Sequence, residues 1–255
     1  MRFFLHLSYL GTNFSGWQLQ PQVKTIQGSI EDALSSIFKK RTYIVGCGRT
    51  DAGVHASQYF AHFDSDTTWD FDLCFRLNKI LPPEISIHEI IEVEQNNHAR
   101  FDARKRTYDY YFHTTKNPFI SHSSTLYQNF KFDFQLMHKA CEIIKNQKEF
   151  KMFCLKPDDH KSTQCLIFDS SIISNHNETR FQFHIESNHF LRGMIRILVG
   201  KIVAIGLCEL TLTEFKAMFL LDEYPKKYNL APPQGLYLSR IQYPYLNTEA
   251  LSNQL

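Results

Sequence analysis

The chain has 255 residues, of which 43% are hydrophobic, and its 28 basic and 26 acidic side chains leave a formal net charge of +2. This length and apolar content exclude a disordered chain and fit one large domain or two smaller units. Because the net charge is small, any signal for a polyanionic partner must be local.

The cysteines and the N-terminus bear on cellular compartment. The six cysteines form no CxxC pair and no Cys/His spacing suited to zinc, which is typical of reduced thiols in a cytoplasm. His6 and Ser8 interrupt the N-terminal apolar stretch, and no run approaches the roughly 20 apolar residues of a membrane span. We therefore expect a soluble, cytoplasmic protein with no metal site and no membrane association.

The first half predicts strands around one amphipathic helix. Alternating apolar residues from Phe3 to Tyr9 predict a strand with one buried face. Residues 25–41 predict a helix that Thr25 caps and that carries basic side chains at its C-terminal end. A short strand at 43–45 and a longer one at 57–63 flank a glycine-rich loop.

The second half repeats this theme. Its predicted elements, in order, are a helix after Asp133, strands near 166–174 and 179–187 joined by a hairpin turn, an apolar helix over 190–206, a helix opened by the capping box of Thr211 and Glu214, and a last strand around 236–238. The pattern predicts an α+β fold of two related α/β halves, residues 1–103 and 104–255, with one extended sheet covered by helices.

The glycine-rich loop holds a lone carboxylate. In VGCGRTDAGVHASQYFAHF, residues 45–63, Asp51 stands where the third glycine of a GxGxxG turn would be, and the loop joins two strands instead of opening a helix. A carboxylate would also repel a bound phosphate, which disfavours a dehydrogenase or other nucleotide enzyme. Two interpretations stay open: Asp51 caps a turn, or glycines present it in a cleft that another chain approaches closely.

Two further patterns carry charge. Arg192 and Arg196 lie four apart on one side of the apolar helix; they either extend to solvent or serve a buried carboxylate. The stretch HARFDARKRTYDYYFH, residues 98–113, interleaves cations with tyrosines. It is either a strand with an aromatic face in the core or a contact for nucleic acid, with cations on phosphates and rings on unstacked bases.

The segment GCGRTDAGVHA, residues 46–56, resembles the catalytic loop of the TruA family of tRNA pseudouridine synthases. Further matches run in order along the chain: GWQLQ at 16–20, TIQ at 25–27, LNKILP at 77–82, HARFDA at 98–103, FLRGMIR at 190–196 and APPQGLYL at 231–238. The resemblance implies a pseudouridine synthase fold, in which two halves share a central, mostly antiparallel sheet flanked by helices. It also implies a homodimer that binds the anticodon arm of tRNA and converts uridines 38, 39 and 40 to pseudouridine without a cofactor.

The resemblance assigns roles to individual residues. Asp51 matches the family's nucleophile, and Arg49 matches the arginine that helps to displace the target base. Tyr108 matches the base-contacting tyrosine, and Arg196 matches the arginine that pairs with the catalytic aspartate. His55 belongs to the family pattern, and we expect it to hold the loop by a structural hydrogen bond rather than to transfer protons.

The chain also departs from the family pattern. Ile197 stands where many members carry asparagine, and KSTQCLIF, residues 161–168, lacks an arginine often found after the threonine. These departures concern contacts with the substrate arm more than the reaction. The alternative function is a catalytically inactive tRNA-binding or chaperone protein of the same fold. The presence of Asp51, Tyr108 and Arg196 together argues against it, since binding alone needs no carboxylate in a groove for a polyanion.

Overall fold

A computed structural model of the protein describes residues 1–221, 224–225 and 227–247. It divides the chain into two compact units: the first combines Met1–Arg104 with the chain from Tyr237 onward, and the second is Lys105–Leu236. The last strand thus groups with the first unit, whereas the sequence pattern places it in the second half. No helix in the described ranges is both long and apolar enough to cross a bilayer.

Both units contain strands and helices. In chain order, the strands are β1 (Arg2–Tyr9), β2 (Val45–Gly46), β3 (His55–Asp64), β4 (Ile85–Val93), β5 (Lys105–His113), β6 (Thr125–Leu126), β7 (Ile167–Ser174), β8 (Arg180–Ser187) and β9 (Leu236–Gln242). The helices are α1 (Ile26–Phe38), α2 (Leu73–Ile80), α3 (Phe134–Lys145), α4 (Met194–Gly206) and α5 (Leu212–Met218).

Strands in the first unit follow the order β4-β1-β3-β9, and β2 pairs with β3. All these pairs are antiparallel except β3 with β9, which run parallel at His55 and Tyr237. Both faces of β1 are buried: Phe4 and His6 on one face are as inaccessible as Leu5 and Leu7 on the other. The prediction of one buried face for this strand was therefore wrong, since alternation alone does not show what covers the second face.

Local sequence signals explain the ends of α1. The Thr25 hydroxyl accepts a hydrogen bond from the Gly28 amide at 3.2 Å, so the predicted N-cap is confirmed. The helix ends at Phe38, and Lys39 adopts a left-handed conformation with φ of 54°. The expected basic residues thus follow the last turn instead of belonging to it, and Arg41 pairs with Glu31 at 3.2 Å.

Neither α2 nor β4 follows from the periodicity of the sequence, because both mix apolar and polar residues irregularly. Asn78 joins them: its side-chain amide donates to the Ile87 carbonyl at 2.7 Å and accepts from the Ile87 amide at 2.8 Å. This two-way bond replaces strand pairing at the edge of the sheet. It gives the asparagine of the LNKILP segment a structural role.

Strands in the second unit follow the order β5-β8-β7, all antiparallel, and β6 runs parallel to β5. The hairpin between β7 and β8, the helix after Asp133 and the capping box of α5 are confirmed, and the Asp133 side chain accepts a hydrogen bond from the Leu136 amide at 3.0 Å. The apolar helix begins at Met194 instead of residue 190, because Gly193 has a left-handed φ of 70°. Mostly antiparallel strands with flanking helices confirm the predicted α+β class.

Candidate active site

The loop that carries Asp51 connects β2 to β3, and we call residues 46–54 the aspartate loop. Asp51 is exposed at its tip, and its backbone carbonyl accepts a hydrogen bond from the Val54 amide at 3.2 Å, which closes a tight turn. Arg49 is also exposed. The loop therefore presents one carboxylate and one guanidinium at the surface of the first unit.

Buried contacts hold the backbone on both sides of Asp51. The side chain of Thr50 points inward, where its hydroxyl shares a hydrogen bond of 2.8 Å with the Tyr9 hydroxyl. The Thr50 carbonyl accepts from the Trp17 amide at 3.1 Å, and the Tyr59 hydroxyl donates to the Gly48 carbonyl at 2.6 Å. Sequence reasoning did not assign these supporting residues.

The matched segments GWQLQ and TIQ are the signal that could have identified that support. The Trp17 ring stacks on Tyr59 with centroids 4.1 Å apart, so GWQLQ lies directly against the aspartate loop. The Gln27 amide donates to the Trp17 carbonyl at 3.0 Å, which links TIQ to GWQLQ. Two short motifs far from Asp51 in sequence therefore fix the position of its loop.

His55 follows the aspartate loop and is completely buried. Its Nδ1 accepts a hydrogen bond from the Gly11 amide at 2.9 Å. An imidazole nitrogen that accepts from an amide carries no proton at that position. The expectation that His55 holds the loop by a structural hydrogen bond is confirmed.

The glycines of the loop and its surroundings serve different purposes. A Cβ on Gly46 would lie 2.3 Å from the Tyr59 hydroxyl, and Gly53 has a φ of 77°, so both are required by the protein itself. A Cβ on Gly11 would lie 2.0 Å from the Val54 carbonyl oxygen. A Cβ on Gly48, by contrast, would meet nothing within 4 Å. Among these glycines, the explanation that glycine leaves room for a bound chain therefore applies only to Gly48.

Tyr108 belongs to β5 in the second unit and is half-buried. It pairs with Ile185 of β8, and its ring meets Phe190 edge to face at a centroid distance of 5.2 Å. Tyr110 lies on the same strand face and is fully buried. The core interpretation is confirmed for Tyr110, and Tyr108 lies at the more accessible end of the same face, where the nucleic-acid interpretation stays a prediction.

Arg196 lies in the first turn of α4 and is half-buried. Its Nε donates to the Ala231 carbonyl at 2.6 Å, and the Ala231 amide donates to the Arg196 carbonyl at 3.0 Å. These bonds dock the APPQGLYL segment on α4. Arg192 precedes the helix and is exposed, so the expectation that both arginines lie on one side of the same helix was wrong.

Tyr110 provides a second anchor for the same segment. Its hydroxyl donates to the Pro232 carbonyl at 2.9 Å and shares a hydrogen bond of 2.7 Å with Thr125. Burial raises the pKa of this phenol far above its usual value, which keeps it neutral. The structure thus places Arg49 and Asp51 together in one loop of the first unit, and Tyr108 and Arg196 on two elements of the second.

No group of three or more histidine, cysteine, aspartate or glutamate side chains in the described part of the chain is arranged to hold a metal ion. The six cysteines are free thiols, and burial raises the pKa of Cys141 and Cys165 to about 12 and of Cys154 to about 11. The thiols at these three positions are therefore protonated at neutral pH.

Comparison with known proteins identifies the family of this chain. The family model described as tRNA pseudouridine synthase matches residues 147–244, which include Arg196 and the APPQGLYL segment. Proteins named tRNA pseudouridine synthase A are similar over nearly the whole chain, and the identity is high enough to define the family. The chain belongs to the tRNA pseudouridine synthase family.

Three relatives show the extent of the similarity. The protein from Porphyromonas gingivalis is 37% identical over 246 residues, which cover 95% of this chain and 97% of the relative. The protein from Parabacteroides distasonis is also 37% identical over 246 residues, with 95% and 96% covered. The protein from Thermosipho melanesiensis is 34% identical over 244 residues, with 95% and 99% covered.

Proposed function

We propose that this protein converts uridine to pseudouridine at positions 38, 39 and 40 in the anticodon arm of tRNA, with Asp51 as the nucleophile. Family membership supports the coarser statement, an isomerase that acts on uridine in tRNA. The observation that supports Asp51 as the nucleophile is its presentation: an exposed carboxylate on a loop whose backbone is fixed by buried hydrogen bonds. The three positions in the anticodon arm are proposed from the resemblance.

The reaction needs little from the protein except a carboxylate. The N1–C1′ glycosidic bond breaks, the base turns, C5 bonds to C1′, and the proton on C5 is lost while N1 gains one. Asp51 assists the cleavage either by attacking C1′ directly or by removing a proton from the sugar to give a glycal. Both routes require the ionised form of Asp51.

The target base has to leave its stack before Asp51 can reach C1′. Unstacking costs a few kcal/mol in enzymes that flip bases. Arg49, two residues before Asp51 in the same loop, would fill the gap left by the base, and Tyr108 would stack on the displaced uracil. Contacts of this kind contribute about 1–3 kcal/mol each, which is enough to offset the cost.

Arg196 would act on the charge of Asp51 in the complex with tRNA. Asp51 is exposed in the protein alone, so the bound RNA itself would remove water from the carboxylate. Loss of water disfavours the charged form, and a nearby guanidinium favours it. The hydrogen bond from Nε to Ala231 fixes the side chain of Arg196 for this role.

The proposal includes an assembly and a compartment. From the resemblance we propose a homodimer, which light scattering of the purified protein would test by its mass. We also propose a cytoplasmic location, where tRNA substrates are present. Fractionation of cells that express the tagged protein would test it.

Pseudouridine mapping tests the proposed function most broadly. tRNA from cells with and without the protein would be mapped, and purified protein would be incubated with transcripts in which uridine 38, 39 or 40 is replaced in turn. We expect loss of pseudouridine at these three positions in the deletion cells and its formation in the transcripts. Loss confined to another part of tRNA, or no loss, would contradict the assignment of the anticodon arm.

A further inference from the structure

Residues 98–104, which we call the aromatic turn, lie between β4 and β5 and take no part in the proposed reaction. Phe101 is 75% exposed, which is unusual for so large an apolar side chain. Its ring stacks on the imidazole of His98, with centroids 4.2 Å apart and planes 29° from parallel. One face of Phe101 is thus supported by protein.

Hydrogen bonds within the aromatic turn make it a defined structure. Nδ1 of His98 accepts from the backbone amides of Arg100 at 3.0 Å and Phe101 at 3.3 Å. Burial lowers the pKa of His98, so the neutral ring that accepts these bonds is present at neutral pH. The His98 amide donates to Asp102 at 2.7 Å, as does the Tyr245 hydroxyl at 2.9 Å. The carboxylate of the turn is therefore engaged by protein donors.

The aromatic turn is also anchored to the rest of the first unit. The Ala99 amide donates to Nδ1 of His62 at 3.1 Å, and the Tyr243 hydroxyl donates to the Ala99 carbonyl. The Arg104 amide donates to the Gln242 carbonyl at 2.8 Å. The end of β3 and the chain after β9 thus hold the turn from two sides, and little ordering is needed before Phe101 binds a ligand.

Charge around the ring indicates which ligand it would take. Arg100 and Arg104 are exposed, and the guanidinium carbon of Arg100 lies 5.8 Å from the centre of the Phe101 ring. A supported aromatic ring with flanking cations is the arrangement that binds unpaired nucleotides, because the ring stacks on a base and the cations contact phosphates.

The position of the turn excludes the target uridine as its ligand. The aspartate loop precedes β3 at His55, whereas the turn is bound to His62 near the other end of that strand. Seven residues of strand span roughly 23 Å at about 3.3 Å per residue. We infer that the aromatic turn is a second tRNA contact, in which Phe101 stacks on an unpaired base remote from the target and Arg100 and Arg104 bind phosphates.

The inference rests on the proposed function for the identity of the RNA. Measurements of tRNA affinity and of reaction rate distinguish a failure of the inference from a failure of the proposed function. Phe101→Ala is expected to weaken binding of an unmodified tRNA transcript about tenfold, equivalent to about 1.4 kcal/mol. The rate at saturating tRNA should stay within about twofold of wild type, because the turn is far from Asp51. Arg100→Gln should reduce the slope of log Kd against the logarithm of the salt concentration by about 0.7–0.9, the value for one lost phosphate contact.

Phe119→Ala is the matched control, because Phe119 is 94% exposed but lies outside the turn. Phe101→Trp retains the stacking surface and adds a reporter, so it should bind like wild type and show tryptophan quenching by tRNA beyond that of wild type. The inference would be overturned if Phe101→Ala bound tRNA as tightly as wild type, or if Phe119→Ala lost as much tRNA affinity as Phe101→Ala. A smaller particle mass of Phe101→Ala with unchanged tRNA affinity would also overturn it and would assign the turn to a protein interface. A wild-type protein that binds tRNA but makes no pseudouridine would instead contradict the proposed function alone.

Discussion

The aspartate loop in the first unit and the first turn of α4 in the second unit position their charged side chains in different ways. Asp51 is exposed, and it is the backbone around it that is fixed, through Thr50 and Gly48. Arg196 is half-buried, and its own side chain is fixed by the bond from Nε to Ala231. The Asp51 carboxylate is thus accessible to water, whereas the Arg196 guanidinium is held in one orientation.

The comparison predicts that substitutions in the two regions will have different effects on folding and on activity. Changes at the backbone contacts of the aspartate loop should affect folding as well as activity, because those contacts are buried in the core of the first unit. Changes at Arg196 should affect the rate in the tRNA complex, and their effect on stability should be limited to the loss of the side-chain hydrogen bond to Ala231.

Gly11→Ala tests the first half of this comparison and should have the largest effect on stability. Its Cβ would lie 2.0 Å from the backbone carbonyl oxygen of Val54, and backbone cannot move aside as a flexible side chain can. The substitution would also disturb the bond from the Gly11 amide to His55. We expect a loss of roughly 3 kcal/mol or more in the free energy of unfolding, measured by urea denaturation. Wild-type stability in this variant would contradict the described packing of the loop.

Acid should weaken the first unit through two buried histidines. Burial lowers the pKa of His6 and of His62 to about 4, below the usual 6.5. Between these values the unfolded chain binds more protons, so stability falls as pH falls from about 6.5 toward 4. Each histidine contributes on the order of 3 kcal/mol to this loss. Hydrogen exchange at pH 7 and pH 5 should show protection decreasing in β1 and β3.

Single substitutions assign that pH dependence. His6 has no hydrogen-bond partner for either ring nitrogen among the described residues, and it stacks on Phe60 at 4.9 Å, so His6→Phe should stabilise the protein and reduce the acid effect. His184 in the second unit behaves oppositely, because a hydrogen bond to Asp109 raises its pKa. The contribution of His184 to the free energy of unfolding is fully present below pH 6.5 and is lost as pH rises through the raised pKa. An acid effect unchanged by His6→Phe would contradict the assignment to His6.

Arg196→Met tests the second half of the comparison. We expect the rate at saturating tRNA to fall on the order of 100-fold, because the ionised form of Asp51 loses its counter-charge in the complex. The rate should partly recover as pH is raised, since alkali restores the carboxylate. Arg192→Met is the matched control and should be close to wild type, because Arg192 is exposed and precedes α4. Equal losses in the two variants would argue against an ion pair specific to Arg196.

Gly48→Ala should have the smallest effect of these changes. A Cβ at this position meets nothing within 4 Å of protein, so the free energy of unfolding should change by less than about 0.5 kcal/mol. If the open space serves an approaching RNA backbone, tRNA affinity should fall severalfold in filter binding. Affinity equal to wild type would show that glycine is not needed at this position for clearance.

Local signals in the sequence predicted the parts of the fold that local physics determines. Thr25 as an N-cap and Thr211 with Glu214 as a capping box are confirmed, because a cap depends only on neighbours three residues away. The start of α4 was predicted four residues early, since apolar periodicity does not reveal the left-handed Gly193. β1 was assigned one buried face because the alternation of side chains does not show whether the second face is also covered.

The candidate site shows the same limit. The residue pattern marked the segments that hold Arg49, Asp51, Tyr108 and Arg196, and the resemblance assigned their roles, which remain proposals. The residues that fix the aspartate loop come from distant segments, such as Tyr9 and Trp17, and only the tertiary structure brings them to Thr50. The resemblance marked GWQLQ without giving its purpose, whereas the expected structural bond of His55 proved correct.

The central claim is that Asp51 is the nucleophile on a loop built to present it. Asp51→Asn keeps the shape of the side chain and removes its charge. Tritium release from C5-labelled uridine in tRNA should be measured in a single turnover, with tRNA binding determined in the same sample. We predict binding within about threefold of wild type and a loss of release on the order of 10⁴-fold or more. Release at the wild-type rate by the tRNA-bound variant would contradict the account.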